Sequence, residues 1–334
     1  MNSKDVQLAP PRSGRRIISA LFFGVNAQIL AFLSILALGR LLFYDRTIVF
    51  VLINTFTAYV YLPAYFILLV GLVARRKYLA IVAGGIVVFH LLLFLPSLIR
   101  ANDFGGETAV GESIRLFSAN LNMFNHESEA MFAEIEQVNA DVLLFQEYTL
   151  HWDEAFSQSQ LVEAYPYHLI DIGERSFGTA IWSKRPLQDT EIWLAEQIYL
   201  TSATIEISGQ PIRLHNMHPM PPQYSYGKWD PMMDTIRQRL VAEPIPVIAM
   251  GDFNMGPYNK QYQALLNEGL RNVHEELGQT MATTWPNGRL AMPPVRLDHV
   301  FISSGIIGLS ISEGVGVGSD HKPVIVDLAL ASSP

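Results

Sequence analysis

The sequence predicts a chain of two parts, in which three membrane-spanning helices precede an α/β domain built as a sandwich of two sheets. The first hundred residues contain three long stretches that lack Asp, Glu, Lys and Arg. Residues 113–331 contain many short apolar runs with turn residues between them, and few helical patterns. Many strands, few helices and mixed connections are typical of two packed sheets with outer helices.

Composition separates the two parts further. Of the 334 residues, 50% are hydrophobic and 16% are charged, whereas a soluble domain carries about 25% charged residues. Residues 1–112 hold ten basic and five acidic residues, and the remainder holds 13 basic and 26 acidic residues. The chain has no cysteine, which excludes a disulfide scaffold, a Cys-ligated metal site and a thiol nucleophile.

The uncharged stretches are Ile17–Gly39, Thr47–Ala74 and Tyr78–Ile99. Each is long enough for a helix to cross the ~30 Å of hydrocarbon, which takes ~20 residues. A buried core helix would account for one such stretch, and a signal peptide would not be followed by two more. We therefore interpret residues 1–100 as a membrane anchor with three transmembrane helices, at about 17–39, 47–74 and 78–99.

Basic residues near the ends of the spans predict the orientation of the anchor. The N-terminal tail and the second loop are the richest in them, at Lys4, Arg12, Arg15, Arg16, Arg75, Arg76 and Lys77. The first loop has only Arg40 and Arg46, with Asp45 beside them. We expect the tail and the second loop in the cytoplasm, so that everything after Ile99 lies outside it. In a bacterium this means a multi-pass protein of the inner (cell) membrane with a periplasmic or extracellular domain.

The glycine-containing stretch Ala101–Glu112 is interpreted as a linker, and residues 113–331 as one domain with a single core. Apolar runs predict strands at Arg115–Asn120, Asp141–Glu147, Thr179–Ser183, Ala203–Ser208, Ile212–His218, Val247–Asp252, Leu297–Ser303 and Pro323–Leu328. Gly209 provides the turn of a hairpin between the fourth and fifth of these strands.

Helical patterns are fewer. Glu127–Asn139 places its apolar residues on one face. Asp230 followed by Pro231 indicates the start of a helix that continues to about Val241. Tyr258–Glu268 is followed by Gly269, a common helix stop.

The chemistry of the domain is concentrated where apolar strands end in carboxylates, amides and imidazoles. Six such places occur, at residues 118–122, 145–147, 215–219, 251–254, 296–299 and 319–323. Each one alone is more often a cap or a turn. Together, oxygen and imidazole groups without a thiolate suit a hard divalent cation, Mg²⁺ or Mn²⁺, and a phosphate substrate.

In this order and spacing, the six motifs resemble the endonuclease/exonuclease/phosphatase (DNase I-like) superfamily. Gly178–Pro186 and Thr284-Trp285-Pro286 match further patterns of that family. The resemblance covers residues 113–331 and implies a DNase I-like sandwich with metal-dependent hydrolysis of phosphate esters. Combined with the three spans, it is similar to a bacterial membrane-anchored branch of the family.

The resemblance also implies roles for individual residues. Glu147 matches the principal metal ligand, and Asp320 a second carboxylate on the metal side. Asn120 and Asn122 match the pair of residues on the first strand beside the metal. Many members have an acidic residue at the position of Asn122, but we include this amide among the predicted metal ligands and Asn120 among the predicted catalytic residues.

Five further residues match the catalytic groups of the family. Asp252 matches the residue that orients or deprotonates the attacking water, and Asn254 the one that bonds the nucleophile or the phosphoryl oxygens. Asp298 matches the carboxylate that pairs with His321, which stabilises charge on the phosphoryl oxygens. His218 matches the other active-site histidine, as a phosphate contact or as the acid for the leaving group.

Several other polar residues have simpler interpretations. His299 and His215 are predicted on the opposite strand face from Asp298 and His218, in structural roles. Arg175 could reach a substrate phosphate, although a solvated loop arginine is the simpler interpretation. Trp285 is interpreted as a core or rim residue that could shape the pocket.

The sequence thus predicts a membrane-anchored, divalent-metal-dependent phosphoesterase that cleaves a small or lipid-borne phosphomonoester or phosphodiester outside the cytoplasm. One alternative is an extracytoplasmic metal-dependent nuclease. Another is a catalytically silent membrane scaffold of the same fold. The expected partners are the phosphoester substrate and the lipid bilayer. Duplex DNA is disfavoured, because a domain with 13 basic and 26 acidic residues repels a polyanion.

Overall fold

The computed structural model describes residues 12–100, 108–173, 176–288 and 292–332. Most of the basic N-terminal tail, the first part of the linker and Arg175 therefore lie outside the described residues. The contacts divide the chain into two compact units. The first comprises the chain up to Leu42 together with Thr57–Leu93, and the second comprises Phe43–Phe56 together with the chain from Phe94 onward.

The first unit is helical. Its helices are α1 (Arg12–Phe43), α3 (Thr57–Val60), α4 (Leu62–Val73) and α5 (Lys77–Arg100). The last residue of α1 and the part of α5 after Leu93 belong to the second unit. Arg16–Phe43 and Lys77–Pro96 are long and apolar enough to cross a membrane. Large apolar side chains are exposed on these helices, including Ile35 at 67% and Phe66 at 60%. Such surfaces are typical of helices that face lipid.

The second predicted span, 47–74, is not one continuous helix. The structure has helix α2 (Ile48–Thr55), a break at Phe56, and then α3 and α4. Two long spans are therefore found among the described residues, or three if the broken pair counts as one. The break follows from packing, because Val51 and Asn54 of α2 are fully buried within the second unit.

The second unit consists mainly of two sheets. Its strands are β1 (Ala109–Asn120), β2 (Val142–Gln146), β3 (Tyr167–Asp171), β4 (Thr179–Ser183), β5 (Gln188–Ala195), β6 (Ile198–Ile207), β7 (Gln210–Met217), β8 (Val247–Asp252), β9 (Arg271–Asn272), β10 (Asp298–Ile302), β11 (Ile306–Glu313) and β12 (Val324–Ala331). The first sheet has the order β11-β12-β1-β2-β4-β3, and the second β5-β6-β7-β8-β10-β9. Neighbours are antiparallel except for β1–β2 and β7–β8, which are parallel.

The helices of this unit, besides α2, are α6 (Ser128–Val138), α7 (Leu150–Gln158), α8 (Leu161–Ala164), α9 (Tyr226–Ala242), α10 (Lys260–Asn267) and α11 (Val273–Glu276). The prediction that a helix begins at Asp230-Pro231 is wrong, because α9 begins at Tyr226. The earlier start buries Trp229 fully, which offsets the backbone hydrogen bond that Pro231 cannot donate.

Alternating side chains build one core between the sheets and one outside each of them. In β2, Val142 and Leu144 belong to the central core, whereas Leu143 and Phe145 belong to an outer core. Helices α6, α7 and α8 cover the first sheet through a set of apolar residues that includes Met131, Ile135, Trp152, Phe156 and Leu161. Helices α2, α9 and α10 cover the second sheet through a set that includes Val51, Trp229, Ile236, Tyr262 and Leu265. The predicted two-sheet α/β sandwich is thereby confirmed.

All eight predicted strands exist, but the edge strands β3, β5, β9 and β11 were not anticipated. Their residues are largely exposed or half-buried, with burial alternating only in part. A strand that pairs with one neighbour needs no strong apolar pattern, and so leaves little signal in the sequence.

Candidate active site

The polar strand ends come together where the parallel strands of both sheets finish. Asn120 ends β1, Gln146 ends β2 and Asp252 ends β8, and Asp252 is paired in register with Asp298 at the start of β10. All four positions alternate with the outward-facing ones, so their side chains point inward with those of the central core. The sandwich topology thus gathers carboxylates and amides at one end of an apolar interior.

Two amides join the sheets beneath this cluster. Gln146 Nε2 donates hydrogen bonds to Asn216 Oδ1 at 2.6 Å and to Ser118 Oγ at 3.0 Å. Asn216 Nδ2 donates to the carbonyls of Phe145 (2.9 Å) and Ala180 (3.0 Å). Both amides are fully buried. Neither was singled out as a functional residue, although an amide at an inward-facing position of an apolar strand was a signal.

Three predicted site residues that follow the strand ends have left-handed backbone conformations. Asn122, Glu147 and Asn254 have φ values of 59°, 54° and 50°, in the left-handed region. Such non-glycine residues are uncommon and cluster at functional sites. Gly251 has φ 144°, and a Cβ there would lie 2.2 Å from the carbonyl oxygen of Met217. Only glycine therefore lets β8 run close to β7 immediately before Asp252.

Asp252 is the most connected carboxylate of the site. Its Oδ1 accepts a hydrogen bond from the backbone N–H of Asn254 at 2.8 Å, and its Oδ2 accepts one from Asn120 Nδ2 at 3.1 Å. The Nε2 atoms of His321 and His218 lie 3.7 and 3.9 Å from the same Oδ2. Burial raises the pKa of Asp252, and the neighbouring His321 opposes this shift.

His321 and Asp298 form a buried ion pair. His321 Nδ1 lies 2.8 Å from Asp298 Oδ2. Burial lowers the pKa of His321, but Asp298 and Asp252 outweigh burial and raise this pKa to about 10. The ring is therefore an imidazolium at neutral pH, with Nδ1–H donated to Asp298 and Nε2–H on the side of Asp252. Thr284 Oγ1 accepts a hydrogen bond from the backbone N–H of Asp298 at 3.1 Å, which holds the backbone of Asp298 in place.

His218, unlike His321, is a neutral imidazole. It is buried, and burial lowers its pKa, with Asp252 opposing the shift. Its Nδ1 has no hydrogen-bond partner among the residues that the structure describes. A neutral, buried imidazole that lines a cavity with an unused nitrogen suits contact with a ligand.

Glu147 and Asp320 form the acidic side of the site. Glu147 accepts hydrogen bonds from Asn120 Nδ2 at 3.2 Å and from the backbone N–H of Met123 at 2.8 Å. Asp320 accepts hydrogen bonds from Asn122 Nδ2 at 2.7 Å and from Trp285 Nε1 at 3.4 Å. Burial raises the pKa of Glu147, and the charge of Asp320 raises it further, against its hydrogen-bond donors and His321.

These groups surround a cavity of about 420 Å³. The described lining residues are Leu52, Thr55, Phe56, Glu147, Ser176, His218, Pro221, Pro222, Gln223, Tyr224, Asp252, Asn254, Trp285, Met292, Leu297, Asp320 and His321. Three of them are carboxylates and one is an imidazolium, and in the described ranges neither Lys nor Arg belongs to the lining. A phosphate that enters this cavity meets excess negative charge, which a divalent cation would compensate.

The donor set fits such a cation on the acidic side. Glu147 and Asp320 are hard oxygen ligands, close enough for one to raise the pKa of the other. Asp252, Asp298 and His321 also lie within 4.8 Å of one another through their ligand atoms. There, however, the imidazolium of His321 already supplies the positive charge. We therefore favour Glu147 and Asp320 as the metal side.

All nine residues predicted for the site lie in this cluster. Six line the cavity, namely Glu147, His218, Asp252, Asn254, Asp320 and His321. Asn120, Asn122 and Asp298 stand behind them and are hydrogen-bonded to lining residues.

Two histidines of the motifs lie outside the site. His215 Nδ1 lies 2.7 Å from Ser202 Oγ, and His299 Nε2 lies 2.8 Å from the carbonyl of Met255. Both point away from the central core, as strand alternation predicts.

The sequence analysis missed a group of apolar lining residues. Leu52, Thr55 and Phe56 come from α2 and its end, and Tyr224 and Met292 come from loops. The first three lie in a stretch whose lack of charged residues had indicated a membrane span.

Comparison with known proteins agrees with the fold and identifies the family. Residues 117–321 match the model of the Endonuclease/Exonuclease/phosphatase family, which covers more than half of the chain. The chain belongs to this family. Family membership confirms the prediction of an enzyme that hydrolyses phosphate ester bonds, and enzymes of this family depend on a divalent metal ion. A search of curated proteins gives no significant match.

Solved structures share the DNase I-like sandwich at low sequence identity. A humanized D. rerio TDP2 is 17% identical with a TM-score of 0.56, over 65% of this chain and 98% of that one. An endonuclease/exonuclease/phosphatase from Beutenbergia cavernae is 14% identical with a TM-score of 0.51, over 65% and 72%. A 3′ phosphatase, NExo from Neisseria, bound to a product DNA hairpin, is 18% identical with a TM-score of 0.50, over 64% and 98%.

The pairing of Asp298 with His321 generates a prediction. The variant Asp298→Asn keeps a side chain of the same shape but removes the charge that holds the imidazolium. We expect kcat to fall by about 10²-fold or more, since loss of the equivalent charge in a serine protease triad costs about 10⁴-fold. Steady-state kinetics on any phosphoester that the enzyme turns over provides the measurement.

A matched control exists in the same domain. His274 and Glu313 form another histidine–carboxylate pair, at 3.0 Å, away from the cavity. Glu313→Gln removes one charge from that pair and leaves kcat within about twofold of the wild type. Equal losses in the two variants would show that the Asp298 effect is only structural.

Proposed function

We propose that the protein is a membrane-anchored, divalent-metal-dependent phosphoesterase that acts outside the cytoplasm on a small or lipid-borne phosphomonoester or phosphodiester. One observation carries the proposal. Three carboxylates, one imidazolium and one neutral imidazole line a single cavity, whose described lining contains neither Lys nor Arg. This arrangement suits a metal ion, a phosphate and a water molecule together.

Glu147 and Asp320 would hold the ion, Mg²⁺ or Mn²⁺, and Asn122 would position Asp320 through its 2.7 Å hydrogen bond. When bound, a divalent ion polarises a phosphoryl oxygen and neutralises the charge that develops on the phosphate. Asn120 would position both sides of the site, because its Nδ2 donates to Glu147 and to Asp252.

The catalytic steps fall to the groups around Asp252. Asp252 aligns water for attack on phosphorus and accepts its proton through Oδ2. Asn254, in its left-handed conformation beside Asp252, bonds the water or a phosphoryl oxygen. The His321 imidazolium, held by Asp298, stabilises negative charge on the phosphoryl oxygens. His218 donates a hydrogen bond to the phosphate or to the leaving oxygen. The leaving oxygen takes up a proton as its bond to phosphorus breaks, and Asp252 releases the proton that it took from the water, so the site returns to its starting state.

A catalytically silent scaffold is a poor explanation for this arrangement. Asp252, Asp298 and His321 are each at most 6% exposed, and a buried charge costs several kcal/mol before its partners compensate. A protein that only binds through this fold has no physical need of three such charges at a cavity.

The position of residues 43–56 supports a topology for the proposed membrane anchor. These residues belong to the same compact unit as the sandwich, so we place both on one side of the membrane. For the chain to return to that side at Pro96, Thr57–Val73 would cross the membrane without Ile48–Thr55, the other member of its bent helix pair, and Lys77–Pro96 would cross back. With the basic tail and the Arg75–Lys77 loop in the cytoplasm, the cavity faces the periplasm or the cell exterior.

The proposed metal site predicts that activity depends on a divalent ion. Chelation should abolish hydrolysis by the detergent-purified full-length protein, and Mg²⁺ or Mn²⁺ should restore it. Glu147→Gln should raise the Mg²⁺ concentration for half-maximal rate by about tenfold or more, because a neutral amide is a weaker ligand than a carboxylate. Glu134→Gln, on α6, provides a control that keeps the wild-type Mg²⁺ response. Activity that survives chelation would contradict the metal assignment.

Another prediction concerns the substrate and separates the phosphoesterase from a nuclease. We expect higher rates on phospholipid-derived or small phosphoesters than on plasmid DNA, at matched Mg²⁺ and low salt, since the domain repels polyanions. Asp252→Ala identifies the turnover that belongs to this site. Plasmid nicking that requires Asp252, without turnover of phospholipids, sugar phosphates or nucleotides, would support the nuclease instead.

The proposed topology predicts the side of the membrane on which the C-terminus lies. An alkaline phosphatase reporter fused after Pro334 should be active in a bacterial host, because this enzyme matures only outside the cytoplasm. The same reporter fused after Lys77, in the loop predicted to be cytoplasmic, should be inactive. The reverse pattern would overturn the proposed compartment.

A further inference from the structure

The segment Phe43–Phe56 connects two apolar helices in sequence but is folded into the catalytic unit. Val51 is fully buried in the outer core of the second sheet, in the same cluster as Phe253 and Tyr262. The segment is thus an integral part of the enzyme domain, although it precedes that domain by more than fifty residues.

Hydrogen bonds fix the segment in place. The buried Asp45 accepts hydrogen bonds through Oδ2 from Asn259 Nδ2 at 3.0 Å and from the backbone N–H of Lys260 at 2.6 Å. Thr55 Oγ1 bonds Asn259 Oδ1 at 2.9 Å, and Tyr226 donates to the carbonyl of Asp45 at 2.5 Å. A carboxylate at the start of α10 is also favoured by the helix dipole. Both ends of α2 are therefore held against the domain.

This fixed segment contributes an apolar part of the active-site lining. Leu52 and Phe56 line the same cavity as Asp252, Asp320 and His321. Tyr224 and Met292 add further apolar surface to that lining. Leu52, Tyr224 and Met292 are 41%, 66% and 43% exposed, so the cavity presents open hydrophobic surface next to buried charged groups. A small hydrophilic phosphoester would leave this surface in water, whereas an alkyl chain would cover it.

The covalent neighbours of the segment indicate where that chain comes from. The candidate span Arg16–Phe43 ends where the segment begins, and the apolar helical stretch Thr57–Val73 begins directly after Phe56. The cavity lining is thus bounded in sequence on both sides by helices that would lie in lipid.

We propose that Leu52 and Phe56 determine the specificity of the site by binding the hydrocarbon part of an amphiphilic phosphoester, while the polar lining residues bind its phosphate. This inference rests on the proposed phosphoesterase function and adds to it the chemical class of the group that is esterified to the phosphate. The occupant is a lipid-type alkyl or acyl chain, and neither a nucleotide nor a sugar is expected to fill this part of the cavity.

The test compares esters that differ only in chain length. Full-length protein in a mild detergent, with saturating Mg²⁺, is assayed on two soluble pairs below their micellar concentrations. One pair is p-nitrophenyl methyl phosphate and p-nitrophenyl octyl phosphate, and the other is methyl phosphate and octyl phosphate. The readout is the ratio of kcat/KM for octyl over methyl within a pair, which cancels any general change in activity.

We expect a wild-type ratio of about ten or more in the pair that is turned over, since each buried methylene contributes about 0.8 kcal/mol. Leu52→Asn should reduce the ratio by about fivefold or more, and Leu52→Met, which stays apolar, should retain it. Leu309→Asn is the matched control, because Leu309 is 42% exposed, lies on β11 and is not a lining residue. This control should keep the wild-type ratio.

The outcomes separate this inference from the function on which it rests. A wild-type ratio near one, or an unchanged ratio in Leu52→Asn with its thermal unfolding unaltered, overturns the inference and leaves the phosphoesterase intact. Hydrolysis of neither pair, together with no turnover of phospholipids, sugar phosphates or nucleotides, contradicts the proposed function, and the inference falls with it.

Discussion

Four carboxylates meet at one end of a sandwich whose interior is otherwise apolar, and a single imidazolium lies among them. Asp252 and Asp298 share His321, whereas Glu147 and Asp320 lie on the other side, where amide, backbone and indole N–H groups donate to them. Buried like charges are tolerated only where cations or hydrogen bonds compensate them. The need to compensate this charge explains the asparagines around the cluster and the fit of a divalent cation beside Glu147.

The two sheets make this concentration of charge possible. Parallel pairs occur once in each sheet, β1–β2 and β7–β8, and their carboxyl ends lie at the same end of the sandwich. Gln146 and Asn216 bridge the sheets immediately below, and each amide both donates and accepts hydrogen bonds. The polar groups of the site therefore rest on a hydrogen-bonded support and not directly on the apolar core.

Much of this was predictable because local patterns control it. Strand alternation placed His299 and His215 on the outer faces, and the ordered motifs named nine polar residues that the structure brings together, whose roles stay predictions. The start of α9 was missed because the burial of Trp229 is a tertiary effect, which outweighed the local signal of Asp230-Pro231. The edge strands were missed because half-buried strands carry weak periodicity.

The position of α2 was beyond reach of the sequence for a different reason. Residues 47–74 contain no charged residue, and the polar Asn54, Thr55 and Thr57 around Phe56 are compatible with an unbroken span. The interactions that cause the break involve partners far along the chain, since Thr55 and Asn259 are 204 residues apart. A pattern within one window cannot report a contact of that range.

This long-range contact also sets an order of events during synthesis. Residues 43–56 leave the ribosome well before Tyr226, Asn259 and Tyr262, so α2 has no surface to pack on until most of the domain has been made. Until then the carboxylate of Asp45 lacks the donors that Asn259 and Lys260 provide, and Val51 lacks its apolar partners. Residues 43–56 therefore complete a domain that is made after them. A fragment that starts after Arg100 would lack part of its own core and one side of its cavity.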